Sequence, residues 1–280
     1  MLKTRIERAA KAGQRGFSLV EIALVLVIMG LILGVIINAL GPQLDNRNVN
    51  ETQQRIKQAS DAVLAFAMVN RRIPCPATLA SNGLEVMTVL VATEQRGRCA
   101  NPNDGYLPAR TLGLGEQSVG GEMQDAWAFG LRYGVSHLTT SNSEPINANN
   151  PINCPAANPC YFLTMANGIK NNFYQGTAQV TPPPAGELRV CASSSGISAT
   201  NCGAVAANTL VSASFVVWSM GRNGTLSSGV DEAANLNGDV VYVSHPRTEV
   251  GGTNGAFDDL FQWQTTETIV SNMLKAGVLP

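Results

Sequence analysis

Residues 17–40 read FSLVEIALVLVIMGLILGVIINAL, 24 positions with a single charge, Glu21. Such a run dictates a helix, because about 20 consecutive apolar residues span a bilayer core while satisfying their own backbone groups. Lys3, Arg5, Arg8, Lys11 and Arg15 precede it against Glu7 alone, a local balance of +4. Basic residues on one flank hold that flank in the cytoplasm and place everything after Leu40 on the far side. A secretory signal has a shorter apolar stretch that ends in a small-residue cleavage site. Asn38-Ala39-Leu40-Gly41 is a poor version of that site, so an uncleaved signal anchor is the plain alternative.

Two details make the segment more particular. Residues 15–21, RGFSLVE, put the switch from polar to apolar at the Gly16–Phe17 bond, where glycine leaves the backbone open to a protease. Glu21 then places a carboxylate one turn into the apolar run, which is costly and marks function by default. A cut after Gly16 would create an α-amine on Phe17, four residues before Glu21. That amine, with a reference pKa of about 7.7–8.0, is largely protonated near neutral pH and is a natural counter-charge. The bland alternative has Glu21 reaching the interface unaided.

The stretch RGFSLVEIALVLVIMGLILGVI resembles the leader junction of type IV pilins and type II secretion pseudopilins: Gly before the cut, Phe after it, Glu fifth in the mature chain. The resemblance implies cleavage at Gly16–Phe17 by a membrane aspartyl prepilin peptidase, N-methylation of Phe17, and neutralisation of the neighbouring subunit's Phe17 amine by Glu21. It implies an α+β, pilin-like fold. A long N-terminal α-helix, half transmembrane and half amphipathic, would pack on an antiparallel β-sheet head with long disulfide-stapled loops. The implied organisation is a removed leader (1–16), a transmembrane assembly helix (17–40), a periplasmic amphipathic helix (41–70) and a β-rich head (71–280). The implied location is a single-pass place in the bacterial inner membrane, N-terminus in the cytoplasm and head in the periplasm, and later a pilus or pseudopilus.

Composition fits an exported head. Without the leader, 14 basic residues stand against 19 acidic ones, and no basic stripe marks a dedicated nucleic-acid binder. All six cysteines (Cys75, Cys99, Cys154, Cys160, Cys191 and Cys202) follow the apolar run, as disulfides in an oxidising compartment would. Metal or redox roles are weaker, since no C-x-x-C pair occurs and only His137 and His245 could join them. Six cysteines allow 15 connectivities. Sequential pairing (75–99, 154–160 and 191–202) is the expectation, because each pair closes a short loop.

Past the apolar run, Gly41-Pro42 is expected to kink the helix or melt a turn. In residues 49–70, Ile56, Ala59, Val63, Phe66 or Ala67, and Asn70 recur at helical spacing and predict a stripe packed on the protein's own sheet. Gly30 and Gly34 form a small-x-x-x-small pair suited to close helix packing. The prolines of Arg71-Arg72-Ile73-Pro74-Cys75-Pro76 predict an extended exit. Strands are predicted at 128–136, 160–165, 187–192, 213–218 and 239–243, and loops at 139–157 and 176–186.

No enzyme is expected. The glycines of 113–121 lack a G-x-G-x-x-G order, and Ser219 lacks a G-x-S-x-G elbow. Residues 231–239, DEAANLNGD, gather oxygen-bearing side chains, and Asp258-Asp259 follow. Calcium takes six to eight hard oxygen ligands, whereas the structural alternative is a solvated turn. Residues 215–224, 231–239 and 257–263 resemble the C-terminal loops of some minor pilins and pseudopilins, and a related loop of major pseudopilins binds calcium. That resemblance implies Asp231, Asn237, Asp239 and Asp258 as candidate ligands.

The expected function is a structural subunit, of the minor kind given its large head, in a type IV pilus or type II secretion pseudopilus. Its partners would be prepilin peptidase, other pilin or pseudopilin subunits, an inner-membrane assembly platform, and membrane lipid before assembly. An adhesin or substrate- or DNA-binding subunit is the alternative, although Arg71, Arg72, Arg96 and Arg98 are few for nucleic acid. A membrane-anchored periplasmic enzyme has no supporting constellation.

Overall fold

The computed structural model describes residues 16, 18–88, 97–114, 118–119, 121–137, 139–140, 160–161, 163–175, 178–179, 187–205, 208–225, 229–249 and 252–279. They fall into two compact units, Met1–Arg47 and Asn48–Pro280. The chain opens with α1 (Leu19–Asn70), a 3₁₀ turn (Leu79–Ser81), β1 (Gly105–Tyr106), β2 (Ser118–Val119), β3 (Glu122–Met123) and β4 (Arg132–Val135). Then come β5 (Thr139–Thr140), β6 (Cys160–Tyr161), α2 (Gly168–Phe173), β7 (Tyr174–Gln175), β8 (Ala178–Gln179) and β9 (Leu188–Cys191). β10 (Thr209–Ala213), β11 (Phe215–Ser219), α3 (Val230–Ala234), β12 (Val241–Val243), β13 (Leu260–Gln264) and α4 (Thr266–Lys275) complete it.

In the first unit α1 starts on Ser18, whose Oγ accepts the Glu21 amide at 3.2 Å. Ser18-x-x-Glu21 is the spacing of a capping box, and an acid in the first turn complements the helix dipole. The helix then presents apolar side chains outward, from Leu19 (88% exposed) to Leu31 (68%) and Leu33 (57%). Residues 1–15 and Phe17 lie outside the described residues, and with them the expected leader apart from Gly16 and the residue expected to be methylated.

Two expectations are corrected here. Among the described residues no helix is long and apolar enough to cross a membrane. Past the apolar run α1 turns polar, with Asp45, Asn46, Arg47 and Asn48 in succession. The transmembrane half of the expected fold, and with it the single-pass inner-membrane location, is therefore not supported. The head is also not one antiparallel sheet. Among the described residues its β-structure is divided among five sheets, and β12 pairs with β9 in parallel. Parallel neighbours need a long crossover, and here β10, β11 and α3 lie between the two strands in sequence. Gly41-Pro42 sits within α1 and melts no turn.

In the second unit, α1 buries Ile56, Ala59, Val63 and Ala67 at 2% exposure or less, which is the predicted stripe. Phe66 is half-buried beneath the Arg72 guanidinium, 5.0 Å from its ring centre, and Asn70 is exposed. The helix ends where Arg71 takes a left-handed φ of 54°, and Ile73 then donates its amide to Leu163 at 2.7 Å.

The main sheet has the order β1-β4-β11-β13, antiparallel throughout. β11 is buried along its whole length. Alternation sends Phe215 and Val217 to the α1 side, while Val216 and Trp218 join Leu188, Val190 and Tyr242 of the second sheet, β10-β9-β12. The FVVWS run is thus a central strand with a core on each face, which explains its lack of polar alternation. Helix α4, capped by Thr265 on the Thr268 amide, closes the first core with Ile269, Val270 and Met273.

The predicted strands are present but shorter. The stretch 128–136 narrows to β4, 160–165 to β6, 187–192 to β9 and 239–243 to β12, while 213–218 is split between β10 and β11. Within the predicted loops, 139–140 and 178–179 are strand residues; the rest of those loops lies outside the described residues. Disulfides join Cys75 to Cys99 and Cys191 to Cys202. The expected third pair is not described, because Cys154 and the side chain of Cys160 lie outside the described residues.

Candidate metal centre

Three segments from different parts of the sequence meet beside β11: the turn that follows it (221–225), α3, and residues 257–259 before β13. Turn formation depends on Gly221, whose φ is +63°. A Cβ there would stand 2.1 Å from Asp258 Oδ1, so glycine is required both by the backbone and by the carboxylate against it. Ser219, at the end of β11, fixes the turn from below: its Oγ accepts the Gly221 amide at 3.1 Å and donates to buried Asp125 at 2.5 Å.

The convergence brings Glu232, Asp258 and Asp259 together, with one oxygen from each inside a 4.8 Å span. Glu232 is 2% exposed and Asp259 6%. The Glu232 carboxylate is oriented by the Asp258 amide (3.0 Å) and the Asn223 side chain (2.8 Å). Asn235, itself buried, donates to Asp259 at 2.7 Å and to the Val243 carbonyl at 3.0 Å, and accepts the Val243 amide at 2.7 Å. β12 is thereby tied to the acids.

Burial first, and then the nearby Glu232 and Asp258 charges, push the Asp259 carboxyl up to about 8, against the hydrogen bond from Asn235. Burial also raises Asp258; the Arg222 amide opposes this at 3.1 Å and the Glu232 charge adds to it. Carboxylates this close and this dry need a proton or a cation between them. One observation fits a cation: Asp258 Oδ1 is buried and takes no hydrogen bond. An oxygen-only donor set of three acids suits a hard divalent ion such as calcium, which Glu232, Asp258 and Asp259 would hold. The ion would add positive charge to that of Arg222 and Arg247 nearby.

Of the residues expected as ligands, only Asp258 is in this cluster. Asp231 points to a different network, where it accepts from the Ser194 amide (2.7 Å), the Asn254 side chain (3.1 Å) and His245 Nε2 (3.0 Å). Its burial would raise its pKa, but these bonds outweigh burial and lower it. Asn237 and Asp239 bond each other at 2.8 Å and close a turn through the Asp239 amide (2.9 Å), which is the solvated-turn arrangement. Glu232 and Asp259 were missed. Each is the neighbour of a noted acid (Asp231 and Asp258), and the sequence does not say which member of an adjacent pair faces inward.

Elsewhere, Gly16 and Glu21 are exposed. His137 accepts the Cys99 amide on Nε2 at 2.9 Å and stacks on Tyr161. Burial, with Arg98 nearby, lowers its pKa to about 4. Comparison of the chain with family models, with curated proteins and with solved structures finds no match.

Proposed function

We propose that this chain is a structural subunit of a type IV pilus or a type II secretion pseudopilus. In this reading, prepilin peptidase cleaves Gly16–Phe17 and methylates Phe17, and the chain assembles through α1. One observation carries the reading: the RGFSLVE junction leads directly into a helix whose apolar side chains, Leu19 through Leu33, are about half exposed or more. An uncovered apolar rod of this kind is stable only against other apolar surface, and copies of the same helix supply it in a filament. Glu21, one turn from the new amine, would then offset the charge that each added Phe17 brings into that core. The Glu232–Asp258–Asp259 centre holds calcium in the same reading and locks the C-terminal loops of the head.

Photo-crosslinking tests the assembly. Benzoylphenylalanine at exposed Leu26 or Leu31 should join the chain to another pilin-like subunit in sheared surface filaments. Adducts confined to unrelated proteins, with no filament-borne chain, contradict the reading.

A further inference from the structure

The parallel pairing of β9 with β12 sets Cys191 beside Val243, so both strands end at the same edge of their sheet. Loops converge at the carboxyl ends of parallel strands, and crevices there are common binding places. Here Ala192 follows β9, His245 follows β12, Asp231 begins α3, and Thr248 and Asn254 come from the segment before β13. Together they line a cavity of about 220 Å³, separate from the acid centre. Its walls depend on the parallel pair, which no local sequence pattern announces.

We propose that this cavity binds a neutral, polyhydroxylated ligand of monosaccharide size. Charge on the wall is already matched: Asp231 accepts from Ser194, Asn254 and His245. Those bonds leave little room for a cation at its oxygens, and the lining carries no Lys or Arg to hold an anion. His245 contacts acceptors with both ring nitrogens, Asp231 at 3.0 Å and the Pro246 carbonyl at 2.8 Å, and its ring stacks on Phe257 at 4.0 Å. It is therefore a fixed flat surface against which a C–H face can lie. Asn254 commits its amide hydrogens to Asp231 and Ser193, which leaves its carbonyl oxygen as an acceptor. Thr248 donates to the Gly255 carbonyl at 3.2 Å and keeps lone pairs, and Thr253 brings a second hydroxyl. Hydroxyls that both donate and accept, next to an amide oxygen, match ligand hydroxyls. The volume lies below the ~300–1,000 Å³ of drug-sized sites, which limits the ligand to a single ring. The network around Asp231 holds the walls without help from a ligand, so binding orders little further.

Saturation-transfer NMR tests this on the full chain in a sugar-free zwitterionic detergent, with glucose, galactose, mannose and N-acetylglucosamine as probes. At least one should show transfer, with a Kd on the order of 1 mM. Thr253 is exposed, so Thr253→Trp should fill the cavity without disturbing the core and weaken binding at least ~10-fold at an unchanged Tm. Thr248→Val is the second variant and should weaken binding of the same sugar. No transfer from any of the four sugars, or equal binding by wild type and both variants, overturns the proposal.

Discussion

Replacing Asp259 with Asn tests the acid centre through its pH dependence. In the folded protein the Asp259 carboxyl keeps its proton up to about pH 8, whereas the ordinary value is 3.8. Between these values the folded state binds the proton that the unfolded state releases, so stability falls as pH rises. The stabilising side is complete below about 3.8 and lost once pH passes about 8. At pH 7 the accumulated cost is on the order of 4 kcal/mol. Asp259→Asn removes the titration and keeps an oxygen for Asn235 to donate to. In chelator the variant should therefore melt higher than wild type at pH 7 to 8, by roughly 5–15 °C, and equal it near pH 4. Millimolar calcium should replace the proton and raise the wild-type Tm, while the variant responds far less. Thermal unfolding followed by circular dichroism at pH 4, 7 and 8.5, with chelator or calcium, reads all of this. A variant less stable than wild type at pH 8 without calcium would refute the reasoning, because the buried carboxylate would then be stabilising rather than strained.

Three further outcomes follow from single contacts. Gly221→Ala forces a Cβ onto Asp258 at a left-handed φ, and should cost about 1–3 kcal/mol and abolish the calcium response; an unchanged Tm in urea or heat melts contradicts it. His137, lowered to about 4, contributes stability that is complete above 6.5 and lost as pH falls through 4. Because the imidazole is only partly buried, that loss is about 1–2 kcal/mol, and His137→Gln should flatten this limb of the melting profile. Ser18 Oγ caps the backbone amide of residue 21, which Glu21→Gln and Glu21→Ala both keep, so each variant removes the charge and leaves that cap in place. If neutralisation is its role, both variants accumulate normally yet fail to enter filaments, and normal incorporation of either variant would refute that role.

Periodicity made parts of the fold legible. Ile56, Ala59, Val63 and Ala67 sit where a 3.6-residue repeat puts them, and the Arg71-to-Pro76 exit follows from proline sterics. The strand pairing was not legible: β9 and β12 read as two short Val-rich runs, and nothing local says whether they meet in parallel. α4 left signals that went unused, namely Thr265 as an N-cap, Ile269, Val270 and Met273 at helical spacing, and Gly277 beyond the end. The metal candidates show the same limit. The three segments that gather at the centre stood out by their resemblance to pilin loops, and two of them by their acids, but inward-facing Glu232 and Asp259 were not told from their neighbours, because burial is set by tertiary packing.

The mass of the mature N-terminus tests the central claim most directly. Protein purified from surface filaments, digested and analysed by mass spectrometry, should yield an N-terminal peptide that begins at Phe17 and carries one methyl group on its amine. A chain that still begins at Met1, or one cut near Ala39, contradicts the filament-subunit account.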